Sequence, residues 1–517
     1  MGWKPMPPMT HLCVPIFLDS IEQARRDMAS AAEAGADLVE LRIDRLVDIH
    51  QVRQLTAQTI IPCIVTCRPT WEGGESELED EQRLELLAVA ASSDSVAYVD
   101  IELKTIQRRR ANLPPDKLIL SSHDFATRPA KPHNLLIEMD AVPAAVNKIA
   151  WRARTVRDNL EAFELLRDRR RPTIALCMGE AGIPSRVLAK KFGAFLTFAS
   201  LHDGAESAPG QLSITDMKRL YRWDALGGKT KFFGVVGSPI AHSMSPAIHN
   251  ASFERTGYDG VYLPLLVNEG YESFKAFMES FRAFEPLDLA GLSITLPHKE
   301  NALRYLKERG GTIEAMAERI GAVNTISFHP ALRGISTDYS AILDSLCDAL
   351  GVDRSGLSGL RVAVIGAGGT GRTAVAALAH CGATVVVYNR TRERADKLAE
   401  EFNGHSGKVV AANMEKLCDS CCQVFINTTS IGMHPNVDAS PWGEGPAALP
   451  PDTVVFDAVY NPMETKFLRQ ARAAGAKSIS GVEMFVRQAA AQFETWTGAT
   501  APTDVMRNVV ESRLSTV

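Results

Sequence analysis

The chain has 517 residues, too many for one ordinary domain, and about three domains is the expectation from length. Hydrophobic residues make up 45% and charged residues 23%, the balance of a soluble globular chain, and the formal net charge of −5 leaves no basic footprint for nucleic acid or an anionic membrane. No apolar run approaches the roughly 20 residues that span a bilayer, so neither a nucleic-acid nor a membrane partner is expected. The opening MGWKPMPPMTHLCV lacks the basic and apolar regions of a secretory signal. It also lacks Ser or Thr at position 6, which argues against myristoylation. The nine cysteines are scattered, several within apolar runs, and read as unpaired core thiols in a reducing cytoplasm. Cys418, Cys421 and Cys422 form a local CxxCC, but no second ligand pair follows at zinc-finger spacing, so no metal is expected.

From residue 12 to about 226, short apolar runs alternate with amphipathic segments. The strand candidates are LCVPI, LVELRID, CIVTCR, AYVDIEL, LILSSHD, VNKIAW, TIALCMG and FLTFASL. Helical patterns such as IEQARRDMASAAEAG, QRLELLAVAASS and VRDNLEAFELLRDRR lie between them, and LSITDMKRLYRWDAL follows the last. Eight such units imply a (β/α)8 TIM barrel, with chemistry at the C-terminal ends of the strands.

Polar residues fall at those ends. Glu40, Arg42 and Asp44 share one strand face while Val39, Leu41 and Ile43 share the other. Asp100 and Glu102 alternate with apolar residues in the same way, as do Thr66 and Arg68. His123 ends the fifth run, Lys148 sits in the sixth and Ser200 ends the eighth. Charges pointing into a core cost several kcal/mol each when unpaired, so their convergence on one rim suggests a site rather than packing. Lys148 lies between Val146, Ile149 and Trp151, and both desolvation and a cationic neighbour such as Arg68 would favour a nucleophilic amine. His123 is on the preceding strand, about 4.8 Å away across the sheet. An amine beside an imidazole suits a carbonyl substrate: the amine forms an iminium and the imidazole moves the proton alpha to it.

The segments ELRID, TCRPTWEGG, DIELK, SSHDF, NKIA, MGEAGIPSR and APGQL, in this order, resemble type I 3-dehydroquinate dehydratase over nearly the whole first half. The resemblance implies that Lys148 forms the Schiff base and His123 is the general acid/base. It also implies that Glu40, Arg42, Arg68, Arg186, Ser200 and Gln211 bind substrate, with Glu72 and the APGQL segment on closing loops. Guanidinium groups such as those of Arg42, Arg68 and Arg186 can clamp a carboxylate.

A polar stretch, ALGGKTK at 225–231, reads as a linker. In the second half, the run LRVAVIGAGGTGRTAVAALAHCG places Gly366, Gly368, Gly369 and Gly371 between a strand and a helix, as a GxGxxG dinucleotide-binding turn requires. The next strand ends in Asn389 and Arg390, with Thr391, Arg392 and Arg394 behind. An NAD site would normally carry an acidic residue there, whereas arginines attract the 2′-phosphate of NADP. Upstream, Ser245 followed by Pro246 suits an N-cap and first helical position. With Ser243, it could hold a substrate carboxylate at the helix N-terminus.

SMS, SITLPHK, GAVNT, STD, GAGGTG, NRTRER, NTTSIGM and GVEMFVRQA, in this order from about residue 232, resemble shikimate dehydrogenase. The resemblance implies that Lys299 and Asp338 are an acid/base pair serving reduction by NADPH. Ser243, Ser245, Thr295, Asn324, Tyr460 and Gln488 would contact substrate, Gly481 would lie near the nicotinamide, and Gln488 would start a final helix, RQAAAQFETWTG. There are departures: Ser293 and Ser336 stand where many stand-alone relatives have Asn, and Glu483 stands where they have Gly. They touch the substrate pocket and its borders. Retention of Ser245 and Thr295 leans towards dehydroshikimate over quinate.

The expected organisation is a dehydratase barrel over 1–226, a substrate-binding α/β domain over 232–340, a Rossmann NADP domain over 341–485, and C-terminal helices over 486–517. The expected function is bifunctional, 3-dehydroquinate to 3-dehydroshikimate and then to shikimate. The alternatives are a quinate dehydrogenase in the second half or a non-catalytic quinate-responsive regulator, which should have lost the catalytic groups. A monomer is expected, since fusion can replace a dimer interface by an internal one. The cytoplasm is the expected location, with the plastid only if a transit peptide has been removed.

Overall fold

A computed structural model describes residues 9–46, 48–57, 59–109, 112–404, 406–443 and 449–515. Residues 1–8, on which much of the reading of a leader or lipid signal rests, lie outside the described residues. Two compact units result, one of Met1–Pro246 with Asp259–Leu289 and one of Ala247–Tyr258 with Ala290–Val517. Among the described residues, no helix is long and apolar enough to cross a membrane.

In the first unit the eight runs form strands β1 (His11–Phe17), β2 (Leu38–Arg42), β3 (Cys63–Thr66), β4 (Val96–Glu102), β5 (Leu118–Asp124), β6 (Val146–Arg152), β7 (Thr173–Met178) and β8 (Leu196–Phe198). They pair in parallel in the order β7-β6-β5-β4-β3-β2-β1-β8, and the Phe195 N–H donates to the Thr173 carbonyl at 2.9 Å where β7 and β8 meet. This is the expected barrel.

Strand alternation explains its contents. Leu38, Ile64, Ile119, Val146, Ile174 and Leu196 fill the interior towards the strand starts, and on β2, β3, β5 and β6 the next in-facing residues are the polar Glu40, Thr66, Ser121 and Lys148. Val39, Leu41, Val65, Val99, Ile101, Leu120 and Ile149 point the other way and are buried. Helices cover that outer face: Ile21–Glu33 buries Ala24, Met28 and Ala31, and its cap Ser20 accepts the Gln23 N–H at 3.1 Å. Each fully buried Leu, Ile or Phe contributes roughly 1.5–3 kcal/mol.

The segment after β8 is helical over residues 214–220, chiefly as the π-helix Asp216–Leu220, and a 3-10 turn, Trp223–Ala225, follows. Arg222 between them is left-handed (φ 55°), which ends a regular helix and lets Tyr221 and Trp223 both bury. The same unit contains β9 (Lys231–Gly237) and β10 (Gly260–Leu266), paired in parallel, and the helix Tyr271–Ala283.

In the second unit, β11 (Leu289–Ile294) pairs antiparallel with β13 (Thr325–Ser327), which pairs antiparallel with β14 (Arg333–Ile335). The short β12 (Thr312–Ile313) runs parallel to β14. Strands β15 (Arg361–Ile365), β16 (Thr384–Tyr388), β17 (Lys408–Ala412), β18 (Val424–Asn427), β19 (Val454–Asp457) and β20 (Lys477–Ile479) form a parallel sheet ordered β17-β16-β15-β18-β19-β20. That is the 3-2-1-4-5-6 order of a doubly wound Rossmann sheet. Both faces are buried: Val362, Val364, Val385 and Ile426 enter one core, and Ala363, Ile365, Val386 and Phe425 the other.

The nine cysteines form no disulfide, and no group that could hold a metal ion occurs among the described residues. Cys418 and Cys421 are exposed, contrary to the reading of core thiols, because they lie in the loop that precedes β18.

Candidate active sites

At the C-terminal mouth of the barrel, Glu40, Arg42, Arg68, Glu72, His123, Lys148, Arg186, Phe198 and Ser207 line one cavity of about 520 Å³, its open mouth included. Lys148 is buried, with Nζ 2.9 Å from Asp100 Oδ2, 3.4 Å from Glu40 Oε1 and 4.5 Å from the centre of the Phe198 ring. The expected cationic neighbour is one step removed. Arg68 reaches Asp100 at 2.6 Å, Glu102 at 2.8 Å and Ser121 Oγ at 2.7 Å, so carboxylates rather than a guanidinium surround the amine.

The sheet register sets Ser121 opposite Lys148 and His123 opposite Ala150. The imidazole therefore stands two residues nearer the mouth than the amine, on the same face. Glu72, on the 3-10 turn Thr70–Glu72, accepts the His123 backbone N–H at 2.9 Å, and its Oε1 lies 3.0 Å from Nδ1. Burial, reinforced by Arg68 and Lys148, holds the His123 imidazole well below its usual pKa, in the neutral form. Burial also pushes the Glu72 carboxyl up to about 7, against the pull of Arg68.

The three arginines differ. Arg42 is paired with Asp44 through Nε at 3.1 Å, and Arg68 is paired as described. Arg186 is 1% exposed with Nε and Nη2 lacking any hydrogen-bond partner among the described residues, and burial lowers its pKa to about 10. Ser200 Oγ and Gln211 Nε2 are also buried without partners there. Such orphans are costly unless a ligand completes them. Over the cavity, the Gly179 N–H donates to Pro209 at 2.8 Å. Gly210 (φ 70°) packs so closely that a Cβ would come 2.3 Å from the Gly179 carbonyl. This fixes the APGQL turn against the end of β7.

In the second unit, Lys299 opens the helix Lys299–Glu308 and Asp338 lies in the first turn of Thr337–Leu350; Nζ and Oδ2 are 2.6 Å apart. The helix dipole favours a carboxylate at that end. Asn324 accepts the Thr337 N–H at 2.8 Å, donates to its hydroxyl at 3.0 Å and reaches Gln488 Oε1 at 3.5 Å. Thr295 is half-buried two residues before the exposed Pro297, and its carbonyl accepts the His298 N–H. Tyr460 stacks on Phe485 with ring centres 5.0 Å apart, and burial raises its pKa. Gln488 does not start its helix as expected; the helix is Gly481–Thr497, so Gln488 lies two turns in. Ser243 and Ser245 belong to the first unit. Ser245 is the first residue of the helix Ser245–Thr256 and not the residue before it, and its N–H donates to Ser243 Oγ at 3.3 Å.

Gly366, after β15, is left-handed (φ 111°), and a Cβ on Gly371 would lie 2.2 Å from the Gly366 carbonyl. Gly368 and Gly369 have open space where a Cβ would stand, which leaves room for a diphosphate at the N-terminus of Gly369–His380. Asn389 accepts the Ala367 N–H at 3.1 Å and donates to the Thr391 carbonyl at 2.7 Å. Arg390 and Arg394 are exposed with no ion-pair partner among the described residues, whereas Arg392 is paired with Asp396 at 2.9 Å. Glycine turn and free arginines fit a 2′-phosphorylated dinucleotide.

Four family models match in chain order: type I 3-dehydroquinase at residues 12–227, shikimate dehydrogenase substrate binding domain at 235–326, shikimate/quinate 5-dehydrogenase at 351–437, and shikimate 5′-dehydrogenase C-terminal domain at 481–511. The chain is 37% identical to the chloroplastic bifunctional 3-dehydroquinate dehydratase/shikimate dehydrogenase of Arabidopsis thaliana, over 96% of this chain and 83% of that one. It belongs to that bifunctional family. A shikimate dehydrogenase (NADP(+)) of Methanosarcina barkeri is 39% identical over 54% of this chain and 96% of its own length. A crystal structure of a shikimate dehydrogenase in complex with NADP+ matches 56% of this chain and 97% of its own, at 33% identity and a TM-score of 0.50. As a member of this bifunctional family, the chain is a lyase and an NADP-dependent oxidoreductase of the shikimate pathway.

The departures from stand-alone shikimate dehydrogenases acquire local explanations. Ser293 is buried and donates to Gln492 Oε1 at 2.8 Å, while Gln492 donates to Thr325 at 3.0 Å. Glu483 is paired with Arg487 at 2.6 Å and with Arg507 of the helix Thr503–Ser515, so it ties two helices together. In the dehydratase half, Asp100 is the residue missed as a site member. Its alternation with Val99 and Ile101 put it on the inner face, but only the register showed that it meets Lys148.

Proposed function

We propose that the barrel converts 3-dehydroquinate to 3-dehydroshikimate through an iminium on Lys148, and that the second half reduces 3-dehydroshikimate to shikimate with NADPH. The observation that carries the reading is a buried amine and a neutral imidazole in one cavity beside an arginine with no acid partner among the described residues. His123 takes one proton from the Lys148 ammonium, and the freed Nζ lone pair adds to the ketone carbon. A second Nζ proton and then the one held by His123 pass to the former carbonyl oxygen, so that ammonium and ketone yield iminium and water with no net proton change. His123 then takes the proton alpha to the iminium and returns it to the departing hydroxyl, which leaves as the second water. Hydrolysis of the iminium frees Lys148. Glu72 at Nδ1 supports the imidazole while it carries the proton. Arg186 takes the substrate carboxylate, with Ser200 and Gln211 completing their bonds on the same ligand; Glu40, Arg42 and Arg68 bind its hydroxyls.

In the second half, Lys299 gives a proton to the carbonyl oxygen and Asp338 holds and resupplies it. Ser243, Ser245, Thr295, Asn324, Tyr460 and Gln488 bind substrate. NADPH, when bound, supplies the electrons and hydrogen for the carbonyl carbon. Gly366, Gly368, Gly369 and Gly371 take its diphosphate, Asn389, Arg390, Thr391 and Arg394 the phosphorylated ribose, and Gly481 borders the nicotinamide. The chain acts as a monomer in the cytoplasm, or in a plastid where a leader has been removed. Borohydride added with dehydroquinate should leave a reduced adduct mass on Lys148; an unmodified Lys148 after turnover ends the Schiff-base reading.

A further inference from the structure

Asp338 is held through its neighbours from two sides. Asn324 fixes Thr337 by its N–H and hydroxyl, as described. On the other side, Glu314 Oε2 accepts the Ser336 N–H at 3.3 Å and Oε1 accepts the Tyr339 hydroxyl at 2.6 Å. One carboxylate thus spans the residues on either side of Thr337 and Asp338. Ser336, the N-cap of Thr337–Leu350, makes no side-chain cap bond of its own. Glu314 is itself anchored, since its N–H donates to Gly334 at 3.0 Å and its carbonyl accepts the Glu318 N–H at 3.0 Å. Glu314 and Tyr339 face a cavity with Met316, Arg319, Leu343 and Arg354 that Lys299 and Asp338 do not line, nor does any residue assigned to substrate or cofactor.

We infer that Glu314 and Tyr339 are positioning residues for the dehydrogenase reaction, a brace behind Asp338 that keeps its carboxylate aimed at Lys299. The inference rests on the reading of Lys299 and Asp338 as the acid/base pair. Catalytic geometry is steep: a misplacement of about 1 Å can cost about 100-fold in rate. Freeing one end of Thr337–Leu350 from Glu314 acts on kcat, because Asn324, the substrate-side partner of that end, keeps its own bonds to Thr337. A merely structural role would instead reduce the amount of folded enzyme and leave the kcat of each surviving site unchanged.

The test compares Tyr339→Phe, Glu314→Gln, the double variant and Asp338→Asn in the full chain. Folded sites are counted by NADPH fluorescence titration. Tyr339→Phe and Glu314→Gln should each lower kcat per titrated site by about tenfold and displace the pH profile of kcat, with both KM values within about twofold. The double variant should be no worse than the poorer single, because the two groups act as one unit. Unchanged kcat per site and an unmoved pH profile in both singles would overturn the brace. Full activity in Asp338→Asn would overturn the acid/base reading beneath it, so the two failures are distinguishable.

Discussion

The two lysines sit in opposite surroundings. The Lys148 side chain is 6% exposed and lies among crossed ion pairs, whereas the Lys299 side chain is 24% exposed and has Asp338 as its one carboxylate partner among the described residues. A covalent nucleophile gains from a site that excludes water and fixes every neighbouring charge, because a stray water would hydrolyse the iminium early. A proton donor must exchange its proton each turnover, and partial exposure beside one buried carboxylate serves that. Residue type alone therefore carries little: burial and partners are what distinguish the two lysines and the chemistry proposed for each.

The largest expected effect separates the halves. Lys148→Ala should lower dehydratase turnover by at least about 10⁴-fold while the reduction of dehydroshikimate is unchanged, and Asp338→Asn should do the reverse by about 10²–10⁴-fold. Both rates measured on each purified variant check this. Crossed losses would break the comparison.

The orphaned arginine sharpens it. Arg186→Met should reduce dehydratase kcat/KM by about 10–100-fold, through loss of a charged hydrogen-bonding group. Yet thermal unfolding should show no loss of stability, because a buried guanidinium without an acid is itself a cost. Arg68 differs, since removing it strands Asp100 and Glu102; Arg68→Met should destabilise by about 3–5 kcal/mol, read by urea unfolding.

A smaller effect distinguishes the cofactor. Arg390→Ser should lower the preference for NADPH over NADH by about tenfold, the worth of one exposed charge on a phosphate. Titration of both cofactors by fluorescence gives the ratio.

The smallest concerns pH. Glu72 has a pKa of 4.5 when unperturbed and about 7 when folded, so the folded state binds the proton more tightly. The stability this contributes is fully present below pH 4.5 and is lost as pH rises through about 7. Glu72→Gln should therefore flatten the fall in stability across that window, by about 1–3 kcal/mol. Urea unfolding at several pH values reads it.

Much of this was legible in the sequence, for physical reasons. Period-two alternation in VELRID and YVDIEL marked the inner face, and a strand running into GAGGTG marked the dinucleotide turn. What alternation cannot give is cross-strand register, so Asp100 beside Lys148 and the withdrawal of Arg68 into its own ion pairs emerged only from the fold. The helical segment after β8 was legible in its apolar spacing, but its π form and its end before the left-handed Arg222 were not, because backbone conformation sets both. Glu314 gave no signal, because an N-terminal glutamate on a short helix looks like ordinary surface chemistry.

Whether one chain carries both successive reactions is read in one assay. Dehydroquinate and NADPH are added to the pure chain, and enone absorbance and NADPH are followed together. Enone should form and NADPH should fall with no other enzyme present, and Lys148→Ala should stop both, with NADPH loss alone restored by added dehydroshikimate. Enone without NADPH loss, or no enone from the intact chain, would contradict the bifunctional reading.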